Sequence, residues 1–171
     1  SIVIAAGARP FVPPLPGLEA VGYVTSDTLW DKFATLDTPP ARLVVLGGGP
    51  IGCELAQAFA RLGSQVTQIE MADRLLARED AEVSQHASDS LMRDSVQVLT
   101  GHKALRCEQD ETGKYIVVEH AGQQQRIAFD ALVCAVGRVA RLTGYGLEKL
   151  GIPVERTVVT NEYLETLYPN I

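Results

Sequence analysis

Cysteine is scarce and scattered in this sequence. Cys53, Cys107 and Cys134 form no CxxC or CxxxxC pair. An odd, unpaired set speaks against a disulfide framework and for a reduced compartment, so a cytoplasmic location is expected. Histidine is as thin: His86, His102 and His120 share no ligand spacing with one another or with cysteine, and no metal site is expected. No apolar run approaches the ~18 residues of a membrane-spanning helix. Basic blocks are missing too, and with a net charge of −6 a nucleic-acid backbone is not an expected partner. No acid, base or nucleophile sits beside a partner that would activate it, so no catalytic residue is assigned. The opening "SIVIAAG" has no basic leader and reads as a cut through a longer protein.

What is present is an alternation of element types. The 171 residues suffice for one domain with a real core. Residues 2–6 form a buried-strand candidate, followed by the proline-rich connector "RPFVPPLPGLE". "TSDTLWDKFATL" predicts a short helix capped by Ser26 or Asp27 and carrying Leu29, Trp30 and Phe33. After Pro39-Pro40 come a short apolar strand at 43–46, an amphipathic helix from Pro50 to Leu62, and the strand "QVTQIE". A helix from Glu79 to Arg93, capped by Asp80, leads into the strand "VQVL". Three strand-like runs, "HKALRCEQ", "KYIVVEH" and "QQRIAFD", are separated by the hairpin signals "DETG" and "AG". "ALVCAVG" returns as a buried strand, and a further short strand is expected around 157–160. The expected fold is therefore α/β. It is a Rossmann-like parallel sheet with helices on both faces and an inserted three-stranded antiparallel meander.

The stretch "VVLGGGPIGCE" carries the chemistry. Gly47, Gly49 and Gly52 follow a strand and open a helix, with Gly48, Pro50 and Ile51 between them. In a dinucleotide cradle the first glycine allows the tight turn, the second lets the backbone approach a pyrophosphate, and the third lets helix and strand pack closely. Free N–H groups at the helix start then face negative charge. Glu70 closes the second strand about 20 residues on, where a carboxylate accepts ribose hydroxyls. A plain glycine-rich turn would not require that acid. Cys53, just past Gly52, has no partner cysteine and reads as a packing residue.

These segments together resemble the pyridine nucleotide–disulfide oxidoreductases, of the dihydrolipoamide dehydrogenase and mercuric reductase type. "IAAGARPFVPPLPG" is similar to the family's Ala-Thr-Gly-x-x-Pro strand, with Ala6 in the threonine's place. "LVVLGGGPIGCELAQAFARLGSQVTQIE" is similar to its second nucleotide fingerprint, and "CAVGR" to the segment where the chain leaves that domain. Ala140-Arg141 departs from the Pro-Asn expected there.

The resemblance implies an NAD(H)-binding domain of an FAD-dependent oxidoreductase. NADH would pass a hydride to FAD, and the flavin would reduce a disulfide, a metal ion or another acceptor. It implies cofactor-binding roles for Gly47, Gly48, Gly49, Pro50, Ile51, Gly52 and Glu70, with Glu54, Val136 and Gly137 near the nicotinamide end. Residues 1–41 would end a strand of the FAD domain and connect it to the NAD(H)-binding domain at 42–140. Residues 141–171 would then return toward the FAD domain. The FAD and interface domains of the same parent chain, and a second copy in a homodimer, are the implied partners. Two other readings stay open: an NADH oxidase or ferredoxin-reductase type without a redox disulfide, and a non-catalytic NAD-sensing module. A self-contained NAD-dependent dehydrogenase fits less well, for want of a catalytic acid or base.

Overall fold

The computed structural model describes residues 1–171. In chain order it contains β1 (Ala8–Pro10), α1 (Leu18–Val21), β2 (Val24–Thr25), α2 (Leu29–Phe33), β3 (Arg42–Leu46) and α3 (Pro50–Arg61). There follow β4 (Gln65–Ile69), α4 (Ala81–Arg93), β5 (Gln97–Leu99), β6 (Lys103–Asp110), β7 (Gly113–His120), β8 (Gln123–Phe129), β9 (Ala131–Cys134) and β10 (Arg138–Ala140). The chain divides into two compact units, Pro10–Gly137 and Ser1–Arg9 with Arg138–Ile171.

The larger unit is built on a five-stranded parallel sheet of order β2-β9-β3-β4-β5. It takes in residues ahead of position 42 because Val24 and Thr25 pair in register with Val133 and Cys134. Apolar residues on successive positions of β3 point to opposite faces, as the pleat requires. Leu43 and Val45 pack with Leu29, Leu55, Ala56, Phe59 and Leu91 of α2, α3 and α4. Val44 and Leu46 pack on the other side with Leu18 and Val21 of α1 and with Ile116, Val118 and Phe129 of the β6-β7-β8 meander. The expected α/β architecture is present, and its second face is covered mainly by antiparallel sheet.

Local chemistry explains the joints. At the end of α3, Gly63 lies at φ +102°. Ser64 N bonds to Phe59 O and Gly63 N to Ala60 O, the paired bonds of a Schellman ending. At the end of α4 the same two bonds run from Val96 N to Leu91 O and from Ser95 N to Met92 O, with Ser95 taking the left-handed position. The meander's second turn has positive φ at both Ala121 and Gly122, the twist that suits a two-residue hairpin.

Four expectations need correction. Thr28, rather than Ser26 or Asp27, occupies the N-cap of the helix at 29–33 and makes no side-chain capping bond, and Trp30 of that helix is 64 % exposed. Asp80 occupies the N-cap of α4 but makes no side-chain capping bond. Residues 2–6 form no strand.

The reason for the last lies in the smaller unit. A strand apolar on both faces needs paired neighbours and cover on each side. Here the backbone bond at this segment is Ile2 N to Asn170 O, and Val3 is 84 % exposed. The unit does contain the β1-β10 pair, with Arg138 Nη2 donating to Ala8 O at 2.7 Å and Arg141 N to Gly7 O at 3.0 Å. A single 3-10 turn at Leu147–Leu150 buries Leu147. The strand expected around 157–160 is reduced to one bridge, Val154 to Val158.

Candidate nucleotide-binding site

The strand order places β3 at a switch point. From β3 the chain steps outward through α3 to β4 and through α4 to β5, whereas β9 lies on the opposite side of β3. Crevices at the carboxyl ends of strands flanking such a point are where open α/β sheets take ligands. The Gly47–Gly52 loop leaves β3 there, Glu70 leaves β4, and Val136 and Gly137 leave β9.

The glycines of the loop differ in what the fold demands of them. Gly47 has φ +116°, and a Cβ there would run into the Ala135 carbonyl and lie 3.0 Å from Val136 N. A Cβ on Gly52 would strike the Gly47 carbonyl. At Gly48 it would lie 2.7 Å from Leu75 Cδ2 and 2.8 Å from Glu70 Cγ. Gly49 stands apart. Its φ of −77° suits any residue, and a Cβ there would meet nothing within 4 Å. The fold needs glycine at three of these positions and leaves open space at the fourth, beside the start of a twelve-residue helix with Pro50 at its head. That is a cradle which a side chain would fill.

Electrostatics favours an anion at this place. The first bond that closes α3 is Cys53 N to Gly49 O, so the N–H groups of Ile51 and Gly52 precede the helical ladder. The helix dipole adds positive character at the same end. Pro50 contributes no donor, and its ring presets the first helical φ.

Glu70 is joined to the loop directly. One carboxylate oxygen accepts the Gly48 amide at 2.5 Å and the other the Ala72 amide at 2.7 Å. Each oxygen of an ionised carboxylate carries two acceptor sites, so one on each stays available. Val136 is 38 % exposed, and Gly137 lies at φ +133° with open space beyond it. Glu54 is exposed on the first turns of α3 and makes no side-chain hydrogen bond or ion pair. The structure thus gathers the loop, Glu70 and the end of β9, with Glu54 on the adjoining helix.

Sequence reasoning missed Gln68. This fully buried side chain of β4 donates through Nε2 to Gly47 O at 3.0 Å, and its only signal was a polar residue inside an apolar strand. After Glu70 it picked out Arg74 and Arg78 as second-ranked partners for a 2′-phosphate but missed Leu76, whose N donates to Gly48 O at 2.8 Å, and Leu75, buried against the loop. Arg74 is half-buried and donates to Ala77 O at 3.1 Å, whereas Arg78 is exposed. Cys53 is half-buried, with Sγ 3.6 Å from Gly48 O, and burial pushes its thiol pKa up. That environment suits packing rather than nucleophilic work.

Comparison with known proteins identifies the family. The family model for pyridine nucleotide-disulphide oxidoreductase matches residues 1–171. The chain therefore belongs to that family. It is 36 % identical to mercuric reductase of Staphylococcus aureus over 97 % of its own length and 30 % of the relative's. It is 35 % identical to dihydrolipoyl dehydrogenase of Thermus scotoductus over its whole length and 37 % of the relative's. Among solved structures, the HOCl-induced flavoprotein disulfide reductase RclA from Escherichia coli superposes with a TM-score of 0.79 at 32 % identity, covering 94 % of this chain and 36 % of that one. The chain thus spans about a third of the length of these relatives. No helix in it is long and apolar enough to cross a membrane.

Proposed function

We propose that the unit Pro10–Gly137, wider than the 42–140 segment expected from the sequence because β2 belongs to its sheet, is the NAD(H)-binding domain of an FAD-dependent, disulfide-reductase-like oxidoreductase. The observation that carries this reading is Gly49. Its backbone is ordinary and its surroundings are empty, so the fold gives no reason for glycine there; a pyrophosphate against the backbone does. The amides at the start of α3 would meet the phosphates, and the loop of Gly47, Gly48, Gly49, Pro50, Ile51 and Gly52 would set their distance. Glu70 would accept from the adenosine ribose through its remaining lone pairs. Glu54, Val136 and Gly137 would orient the nicotinamide end.

When bound, the nicotinamide would supply a hydride to a flavin, whose two electrons would then go to a disulfide, a metal ion or another acceptor. This chain's own residues bind and orient; no paired acid and base lies at the loop to do more. Residues 1–9 and 138–171, the smaller unit, are assigned to the connection with an FAD domain. An interface domain and a second copy in a homodimer complete the assembly, and a cytoplasmic location accompanies the reading. That relatives are a mercuric reductase and a dihydrolipoyl dehydrogenase supports a soft-metal or disulfide acceptor.

Calorimetric titration tests the assignment. NADH is expected to bind at one site with an enthalpy that disappears in Gly49→Val. Absence of NADH and NADPH binding by the wild-type protein would sink the reading.

A further inference from the structure

We propose that Gln68 is a positioning residue for the phosphate-binding loop, acting through the Gly47–Gly48 peptide; this rests on the dinucleotide reading above. The side chain is 0 % exposed and touches no ligand space. Its Nε2 donates to Gly47 O at 3.0 Å and lies 3.5 Å from Cys53 Sγ, while its Oε1 is buried with no partner. A buried amide oxygen left unpaired is a cost that an aliphatic side chain would avoid. The neighbours in the strand, Val66 and Ile69, are aliphatic and buried. Packing therefore does not account for an amide at this position, whereas the bond to Gly47 does.

Peptide geometry turns that bond into a consequence at the loop. In a trans peptide the C=O and the following N–H point in opposite directions. Drawing Gly47 O inward to Gln68 aims the Gly48 N–H the other way, where Glu70 takes it at 2.5 Å. The next plane is held likewise, because Gly48 O accepts from Leu76 N and faces Cys53 Sγ, which sends the Gly49 N–H outward. Gly47, at φ +116°, is the position with freedom to rotate. Without the Gln68 donor the 47–48 plane loses its inward anchor, and the amides ahead of α3 lose their common aim.

The test compares wild type with Gln68→Met, which keeps length and removes the amide. Affinities for NADH, ADP and adenosine are measured beside the thermal midpoint. NADH and ADP are expected to weaken about threefold to tenfold, the worth of one neutral hydrogen bond. Adenosine, which carries no phosphate and whose ribose acceptor Glu70 keeps its separate anchor at Ala72 N, is expected to change less than twofold. Gln68→Met that binds ADP like the wild type, or that loses adenosine and ADP equally, would overturn the proposal. Wild type binding neither NADH nor ADP would overturn it together with the dinucleotide reading, which separates the two failures. Should Gln68→Met fail to melt cooperatively, side-chain amide resonances of wild-type Gln68 decide. They are expected to exchange slowly and to shift with the Gly48 and Gly49 amides as ADP is added. Gln68 resonances that stay still while the loop amides move would refute the inference.

Discussion

The carboxylate of Glu70 and the backbone amide of Gly48 lie 2.5 Å apart, so the acid that closes β4 is hydrogen bonded to the loop that leaves β3. With the second bond to Ala72 N, this side chain has a structural duty besides any toward a nucleotide. Both oxygens are partly engaged before a ribose arrives, which holds the carboxylate in place.

That double duty shapes the expected behaviour of Glu70→Ala. NADP carries a 2′-phosphate where NAD has a hydroxyl, and the charge-assisted bond to the hydroxyl is worth roughly 1.5–3 kcal/mol. Wild type is therefore expected to bind NADH about 10- to 100-fold more tightly than NADPH. The variant should narrow that preference and also melt at lower temperature, since two amides lose their acceptor. Paired titrations and a melt check both halves. Equal affinities for the two nucleotides in wild type would reject the role of Glu70 and point to Arg74.

The loop glycines are expected to separate into two classes. Gly49→Ala and Gly49→Val should retain the wild-type melt and lose NADH binding, because their side chains enter open space. Gly47→Ala should lose stability by about 1–3 kcal/mol from backbone strain alone, with the clash at Ala135 added. Gly52→Ala should be destabilised by its contact with the Gly47 carbonyl. Urea melts of the three positions, each with an NADH titration, test the division. A Gly49→Ala protein that melts early would contradict it.

Alkaline stability should depend on Cys107. Burial first, and the neighbouring Cys134 thiol second, push its pKa up to about 11 from 9.0. The native state thus holds this proton more tightly than the unfolded chain does. Stability is complete below pH 9 and falls as pH rises from 9 through 11, where only the unfolded thiol ionises freely. Denaturation midpoints across that range should fall less steeply in Cys107→Ala than in wild type. Parallel slopes would exclude Cys107 as the cause.

Acid stability should carry a signature of the meander's first turn. Thr112 bonds the Asp110 carboxylate through its hydroxyl and its amide, and Arg126 bonds it at 2.7 Å. The Thr112 side-chain bond first, then Arg126, lower the Asp110 pKa from 3.8 to about 2. The contribution is present above pH 3.8 and lost as pH falls toward 2, because the unfolded carboxylate takes up its proton first. Thr112→Ala is expected to raise the Asp110 pKa measured by carboxyl-carbon NMR. An unchanged titration would show that Arg126 and the residue-112 amide hold it without the hydroxyl.

Much of this protein is decided by its order of residues. The run from Leu43 through Glu70 specifies strand, turn, helix and strand by local means: aliphatic pleat, Pro50 at the helix head, Gly63 at its end. The hairpin turns at 110–113 and 121–122 are equally local, with Gly113 and Gly122 supplying the positive φ that each turn uses. Residues 2–6 show the limit. Their apolar character suits a buried strand, but burial is a property of neighbours, and in this structure Ile2, Val3 and Ala5 are exposed and Ile4 and Ala6 only half-buried. Trp30 is apolar in sequence and 64 % exposed for the same reason. Tertiary structure alone decides the glycine roles, because whether a Cβ meets a carbonyl or empty space depends on β9 and β4 crossing beside the loop. It alone reveals Gln68, whose partner lies 21 residues away and is a backbone oxygen that no side-chain pattern marks.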